Sequence, residues 1–235
     1  MGLIDPLINL PKILSIRKKL LNLFILNEID IFIGVDSPDF NMFFHKKLKH
    51  NNIKTIQMVS PSVWAWRESR IHAIQAYVDL TMCLFKFECN FYDHKNMNSF
   101  FLGHPFSQLK PQKNEEIISQ YNLDSSKDFI SILPGSRESE ISQLMPVYIE
   151  AARKLVQSNS NAYFLIPAAN KTLADKIQST PGLDELPHEL VINSAQDFLS
   201  LSLISIVTSG TASLEAAVLG SVPIICYKTN MLNYA

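Results

Sequence analysis

Short apolar runs, each too brief for a helix, alternate with amphipathic stretches along nearly the whole chain, and this alternation narrows the fold more than any other feature. In "DIFIGVD" the run Ile31–Val35 lies between Asp30 and Asp36. It reads as a buried strand that delivers Asp36 at its carboxyl end. The same grammar repeats: helix "NMFFHKKLKH", strand "KTIQMV", helix "RIHAIQAY", strand "DLTMCLF", then a short helix before "SFFLGHP". Ahead of the series, "LPKILSIRKKLLNLFIL" carries Ile13, Leu14, Ile16, Leu20, Leu21, Leu23 and Phe24 at helical spacing and predicts a helix with a broad buried face. Strands alternating with helices give parallel sheets made of right-handed βαβ units.

Residues 107–127, "SQLKPQKNEEIISQYNLDSSK", are polar and read as a link running into a surface helix. A second series follows: strand "FISIL", helix "LMPVYIEAARKLVQ", strand "AYFLIP", helix "KTLADKIQ", strand "ELVIN", strand "LISIVTSG", helix "ASLEAAVLG" and strand "VPIICY". The expected architecture is α/β, with two Rossmann-like, doubly wound domains facing a cleft, residues 1–108 and 109–235. No sequence repeat or low-complexity segment is visible.

Composition then excludes several classes. Lys and Arg number 21 against 22 Asp and Glu, without the positive excess a dedicated nucleic-acid binder needs. Hydrophobic residues make up 47%, enough for a sizeable core. Cys83, Cys89 and Cys226 form no C-x-x-C pair and no ligand pattern with the histidines, so reduced thiols and no zinc are expected. The early apolar run "LLNLFIL" is far shorter than the ~20 residues a bilayer span requires. No cleavage site follows it, which predicts a soluble chain with a membrane-surface role left open.

In open parallel sheets ligands bind beyond the carboxyl ends of the strands, so the loops there are the ones to inspect. In "GVDSPDFN", Asp36 leaves a strand and is a candidate general base; alternatively Asp39 caps the next helix while Asp36 only closes the turn. "SPSVWAWRESRI" holds both tryptophans of the chain, Trp64 and Trp66, two apart and thus able to form one wall in an extended loop. They could equally plug the end of the sheet. Arg67 and Arg70 sit where the next helix dipole favours anions, which makes sense if a phosphate or carboxylate comes to them.

Two further loops belong to the second series. "LPGSRESEI" turns through Pro134 and Gly135 into a helix near Glu138, with Arg137 as a planar cation beside exposed helix-start N–H groups. It is not a Walker A loop. "TSGTASLEAA" runs from a strand through Ser209, Gly210 and Thr211 into a helix carrying Glu215. Glu215 has Ala212 three residues before it, so it is not a capping-box partner and is free for a ribose diol. A diphosphate site with an adjacent acid in one half, and an acid with an aromatic wall in the other, is the layout of a sugar-nucleotide-dependent transferase.

Five blocks, "GVDSPDFN", "SPSVWAWRESRI", "FLGHP", "LPGSRESEI" and "VTSGTASLEAAVLGSVPIICY", resemble in order and spacing the bacterial lipid-A-disaccharide synthases. The resemblance covers essentially the whole chain. It implies a GT-B-type, inverting glycosyltransferase with UDP-2,3-diacylglucosamine as donor and 2,3-diacylglucosamine 1-phosphate as acceptor. The products would be the β-1,6 disaccharide 1-phosphate and UDP, made at the cytoplasmic face of the inner membrane without cofactor or metal. By the same resemblance Asp36 takes the acceptor proton, and Arg137 stabilises the departing diphosphate. Ser209, Gly210, Thr211 and Glu215 hold the nucleotide, while Trp64, Trp66 and Arg67 wall the acyl-sugar. "MGLIDPLINLPKIL", with Lys12, Arg17, Lys18 and Lys19 nearby, would lie on the bilayer surface; an ordinary amphipathic helix with solvated lysines is the plainer alternative. A homodimer is compatible with the resemblance.

Against the family pattern both domains read as incomplete. A "GExSGD"-like loop with the opening βα units lacks a counterpart, the chain stops at "MLNYA" ahead of further nucleotide-side residues, and Ser107-Gln108 stand where an aspartate is usual. Two readings follow: an enzyme, or a non-catalytic remnant that at most binds nucleotide or lipid. A sugar-nucleotide 2-epimerase would leave "SPSVWAWR" unexplained.

Overall fold

The computed structural model describes residues 10–65 and 68–228. The chain divides into two compact units, Met1–Pro105 and Phe106–Ala235, each built on its own parallel sheet.

The first unit runs α1 (Leu10–Leu26), β1 (Ile31–Val35), α2 (Pro38–Lys49), β2 (Lys54–Met58), a short 3-10 turn (Glu68–Arg70), α3 (Ile71–Tyr77), β3 (Leu80–Cys83), α4 (Lys86–Asp93) and β4 (Ser99–Phe101). The strands lie side by side in chain order, β1-β2-β3-β4, all parallel. Crossovers of one hand all stepping the same way put the intervening helices on one face. On that face Phe32 packs with Phe44 and Leu48, and Cys83 with Ile74, Cys89 and Tyr92.

The other face differs from expectation. β1 is buried on one side only: Phe32 and Gly34 are covered, while Ile31, Ile33 and Val35 are half exposed. The register aligns Ile33 with Ile56 and Leu80, and Val35 with Met58, Met82 and Phe100, so this apolar row crosses the whole sheet. α1 has the expected bounds but a narrow buried face. Leu20, Leu21 and Phe24 lean on Phe32 and Phe44, with ring centroids 5.5–5.6 Å apart, whereas Leu10, Leu14, Ile16, Leu23 and Ile25 stay exposed. Among the described residues no helix is long and apolar enough to cross a membrane.

The second unit comprises α5 (Asn114–Gln120), β5 (Asp128–Leu133), α6 (Glu138–Ser158), β6 (Ala162–Ala168), α7 (Lys171–Gln178), a 3-10 turn (Leu183–Glu185), β7 (His188–Ile192), α8 (Ala195–Leu201), β8 (Ile204–Thr208), α9 (Thr211–Val218) and β9 (Val222–Cys226). Its strand order is β7-β6-β5-β8-β9, all parallel. The order reverses between β5 and β8, which makes their carboxyl ends the topological switch point. One core layer joins α6 and α7 to the sheet through Ile132, Met145, Tyr148, Phe164 and Ile166; the other joins Leu133 and Val207 to Leu199, Ala216 and Leu219. α8 was not expected from the residue pattern. Parallel strands cannot be joined by a hairpin, so the segment between β7 and β8 must be a crossover, and Phe198 and Leu199 anchor it.

Candidate functional site

At the switch point of the second unit lies a pocket of about 660 Å³. Its walls come from the loops after four strands: Pro134–Arg137 after β5, Pro167–Ala169 after β6, Asn193 after β7, and Ser209–Ala212 after β8. Arg137, Ser209, Gly210, Thr211 and Glu215, five of the residues singled out by sequence, are therefore gathered around one space.

Each is placed by local chemistry. Gly135 adopts φ +116°, a left-handed conformation that suits glycine, and this bends the chain from β5 into α6. The Ser136 N–H donates to Glu140 Oε2 (3.0 Å), and the Arg137 guanidinium donates to Glu140 Oε1 (2.5 Å). Arg137 occupies the N-cap position of α6 in an extended conformation, and no side chain caps the helix there. The N–H groups of the first turn thus face the pocket end of a long helix, where an anion is favoured. Arg137 is half exposed, so its pair with Glu140 is weak and exchangeable for another anion.

On the opposite wall, β8 ends at Thr208, whose hydroxyl meets the Tyr148 phenol at 3.0 Å in the buried interior. Burial pushes that phenol up to about 12, so it stays a neutral hydrogen-bonding group. The Ser209 N–H donates to the Cys226 carbonyl (2.8 Å), and Gly210 stands at the N-cap of α9 without a side-chain cap. The Ser213 hydroxyl turns back to the Gly210 carbonyl (2.7 Å). Glu215, one turn into α9, accepts a hydrogen bond from Gln196 Nε2 at 3.1 Å. Glu140, Asn193 and Gln196 line the pocket but were not anticipated. Glu140 reads as an ordinary first-turn acid, and Gln196 sits on the unanticipated α8.

In the first unit Asp36 follows β1 in a left-handed conformation (φ 49°), its N–H donating to the Met58 carbonyl (2.9 Å) and its carboxylate exposed. Ser37, not Asp39, is at the N-cap of α2, and it makes no side-chain cap. Asp39 instead pairs with Arg70 (2.7 Å), so the anion that Arg70 called for is a carboxylate of this same unit. Of the tryptophan loop, Val63 is the residue that plugs the core, while Trp64 remains half exposed. The Trp64 ring meets Phe87 edge-on at 4.9 Å, and Phe85 stacks on both Phe87 (5.7 Å) and His104 (5.6 Å). Ser60 ties the root of the loop to the Tyr92 phenol at 3.0 Å. Trp66 and Arg67 lie outside the described residues.

A family model described as Lipid-A-disaccharide synthetase matches residues 1–235. A lipid-A-disaccharide synthase from Colwellia psychrerythraea is 37% identical over 241 residues, covering 100% of this chain and 61% of that protein. One from Psychromonas ingrahamii is 38% identical over 239 residues, covering 100% and 62%. The chain therefore spans about three fifths of these relatives' length. In fold, it is similar to the S. aureus MnaA–UDP co-structure (TM-score 0.64, 13% identity, 94% of this chain and 64% of that one). It is also similar to the UDP-GlcNAc 2-epimerase of Methanocaldococcus jannaschii (TM-score 0.56, 8% identity, 91% and 65%). At such identities the structural likeness speaks for the fold alone, whereas the family match runs from the first residue to the last: this chain belongs to the lipid-A-disaccharide synthetase family.

Proposed function

We propose that the protein containing this chain transfers 2,3-diacylglucosamine from UDP-2,3-diacylglucosamine to the 6-hydroxyl of 2,3-diacylglucosamine 1-phosphate. The pocket at the β5/β8 switch point, in a member of this family, carries the reading. It combines an uncapped helix start, an arginine, a glycine-containing turn and a carboxylate, the groups a nucleoside diphosphate needs for its phosphates and ribose. The fold is shared with an MnaA protein whose structure holds UDP.

In the proposed reaction Asp36 accepts the proton of the acceptor hydroxyl as its oxygen attacks the anomeric carbon of the donor. The bond from that carbon to the diphosphate breaks, and the configuration inverts. Arg137 exchanges Glu140 for the departing diphosphate, where a fixed cation is worth most. Glu215 receives the ribose hydroxyls. Residues 1–108 serve the acceptor, with Trp64, Trp66 and Arg67 beside the acyl-sugar; residues 109–235 serve the UDP-sugar. Membrane-surface association at the cytoplasmic face is supported by α1, which exposes Leu10, Leu14 and Leu23 close to Lys12, Lys18 and Lys19.

The deciding experiment measures UDP affinity and sugar transfer in the native polypeptide. Glu215→Ala is expected to weaken UDP binding about tenfold or more, consistent with losing charged hydrogen bonds. Asp36→Ala is expected to abolish transfer while UDP still binds. An unchanged dissociation constant in Glu215→Ala removes that residue from the site, and normal transfer by Asp36→Ala removes the base. A native polypeptide that binds UDP but transfers nothing would leave a nucleotide-binding protein.

A further inference from the structure

A chain of buried polar side chains runs beneath Asp36. Gln57, on the covered face of β2, and His45, in α2, are 1% and 0% exposed. His45 Nε2 lies 2.9 Å from Gln57 Oε1. Gln57 Nε2 is directed at three carbonyl oxygens, those of Asp36 (3.1 Å), Met58 (3.1 Å) and Val59 (3.2 Å). An amide oxygen only accepts, so the imidazole carries its proton on Nε2. His45 Nδ1 is then a bare lone pair, buried without a hydrogen-bond partner. Burial holds the ring below its ordinary pKa, which keeps it in this neutral, Nε2-protonated form. Asn41 supplies a second brace: its Nδ2 donates to the carbonyls of Val35 (3.2 Å) and Asp36 (2.7 Å). Gly34 makes room for it, since a Cβ there would come within 2.8 Å of Asn41 Cγ.

What these groups hold is strained backbone. Asp36, Ser37 and Val59 all have left-handed conformations, with φ 49°, 37° and 70°. For a β-branched residue such as Val59 this is an outlier, and such conformations persist only where the surroundings over-determine them. The three residues stand at the carboxyl ends of neighbouring strands, and one side-chain amide grips both ends. A buried histidine left with an orphan nitrogen is a costly way merely to fill a core.

We infer that Gln57, oriented by His45 and seconded by Asn41, is a positioning residue for sugar transfer. It fixes the left-handed turn that presents the Asp36 carboxylate, and with the same amide it fixes Val59 at the root of the tryptophan loop. The inference rests on the reading of Asp36 as the base. An error of about 1 Å in placing such a group can lower a rate a hundredfold.

The test compares kcat, KM and thermal midpoint for Gln57→Leu and for the double variant Gln57→Leu/His45→Phe, in the native polypeptide. The single variant leaves His45 and the Asp36 carbonyl short of a partner. The double variant removes both polar side chains, so stability is expected to return while positioning stays lost. Both are expected to lower kcat about 10- to 100-fold, with KM for the UDP-sugar within about twofold. Tryptophan emission, which comes only from positions 64 and 66, is expected to shift with Gln57→Leu. Asn41→Ala, which spares the His45–Gln57 pair, is expected to lower kcat several-fold. A double variant that regains wild-type kcat along with its stability makes Gln57 structural only and overturns the inference. So does a loss confined to KM for the UDP-sugar. Asp36→Ala separates the two readings: if it is dead while the double variant is fully active, positioning alone falls; if it transfers normally, the base falls first and positioning with it.

Discussion

Gly135 shows how little room a single position in the nucleotide pocket leaves. Besides its left-handed φ, a Cβ there would sit 2.5 Å from Glu140 Oε2 and 2.8 Å from Glu140 Cβ. The carboxylate could swing aside, but Cβ belongs to the helix and cannot. Gly135→Ala is expected to cost about 1–3 kcal/mol in urea unfolding and to weaken UDP binding, because the Ser136 and Arg137 partners of Glu140 would shift with it. His45 carries a prediction of another kind. Its folded pKa lies below the unfolded value, so the unfolded state binds the proton more readily. The stability that neutral His45 contributes is complete above about pH 6.5 and is lost as pH falls below that towards the folded pKa. The urea midpoint is expected to drop from about pH 7.5 to about pH 5.5, and the Gln57→Leu/His45→Phe protein is expected to lose most of that slope. An equal slope in both proteins would place the titrating group elsewhere.

At the scale of elements, α4 depends on one buried acid. Glu88 is 5% exposed, and its Oε2 accepts from the N–H groups of Leu84 (3.1 Å) and Phe85 (3.0 Å) at the helix start. Glu88→Ala orphans both donors and is expected to cost about 1–3 kcal/mol, read by chemical denaturation. Glu88→Gln keeps an acceptor and is expected to cost less. Elements were legible where pattern and length agreed: α1 and α7 begin and end where their apolar spacing does, and the βα alternation yields two parallel sheets. α8 was not legible, because seven residues give too short a period to distinguish from a loop. The one-sided burial of β1 escaped notice for a different reason: Ile, Phe and Val on an exposed face read like those of a core strand. At the sites, the residues after each strand announced themselves, since topology alone sends ligands there. Pairings such as Asp39 with Arg70, or Glu215 with Gln196, depend on how distant segments meet and leave no local trace.

At the scale of the molecule, the bare face of the first sheet has a measurable outcome. Ile31, Ile33, Val35 and Phe100 form a contiguous apolar row next to an open strand edge, the combination that drives association. A polypeptide of these 235 residues made alone is expected to bind an apolar dye and to self-associate in sedimentation. Ile33→Lys is expected to reduce both without lowering the thermal midpoint, and a monomeric, dye-silent wild-type solution would remove the prediction. The second sheet has a consequence in time. In the first unit each strand pairs with the next one made, so that sheet can grow as the chain is synthesised. In the second unit β5 must pair with β8, Ile130 with Ile204, about 70 residues later. At roughly 5–20 residues per second the central strand waits several seconds on the ribosome for its neighbour. The nucleotide pocket, whose walls stand on both sides of that pair, is therefore completed only late in translation.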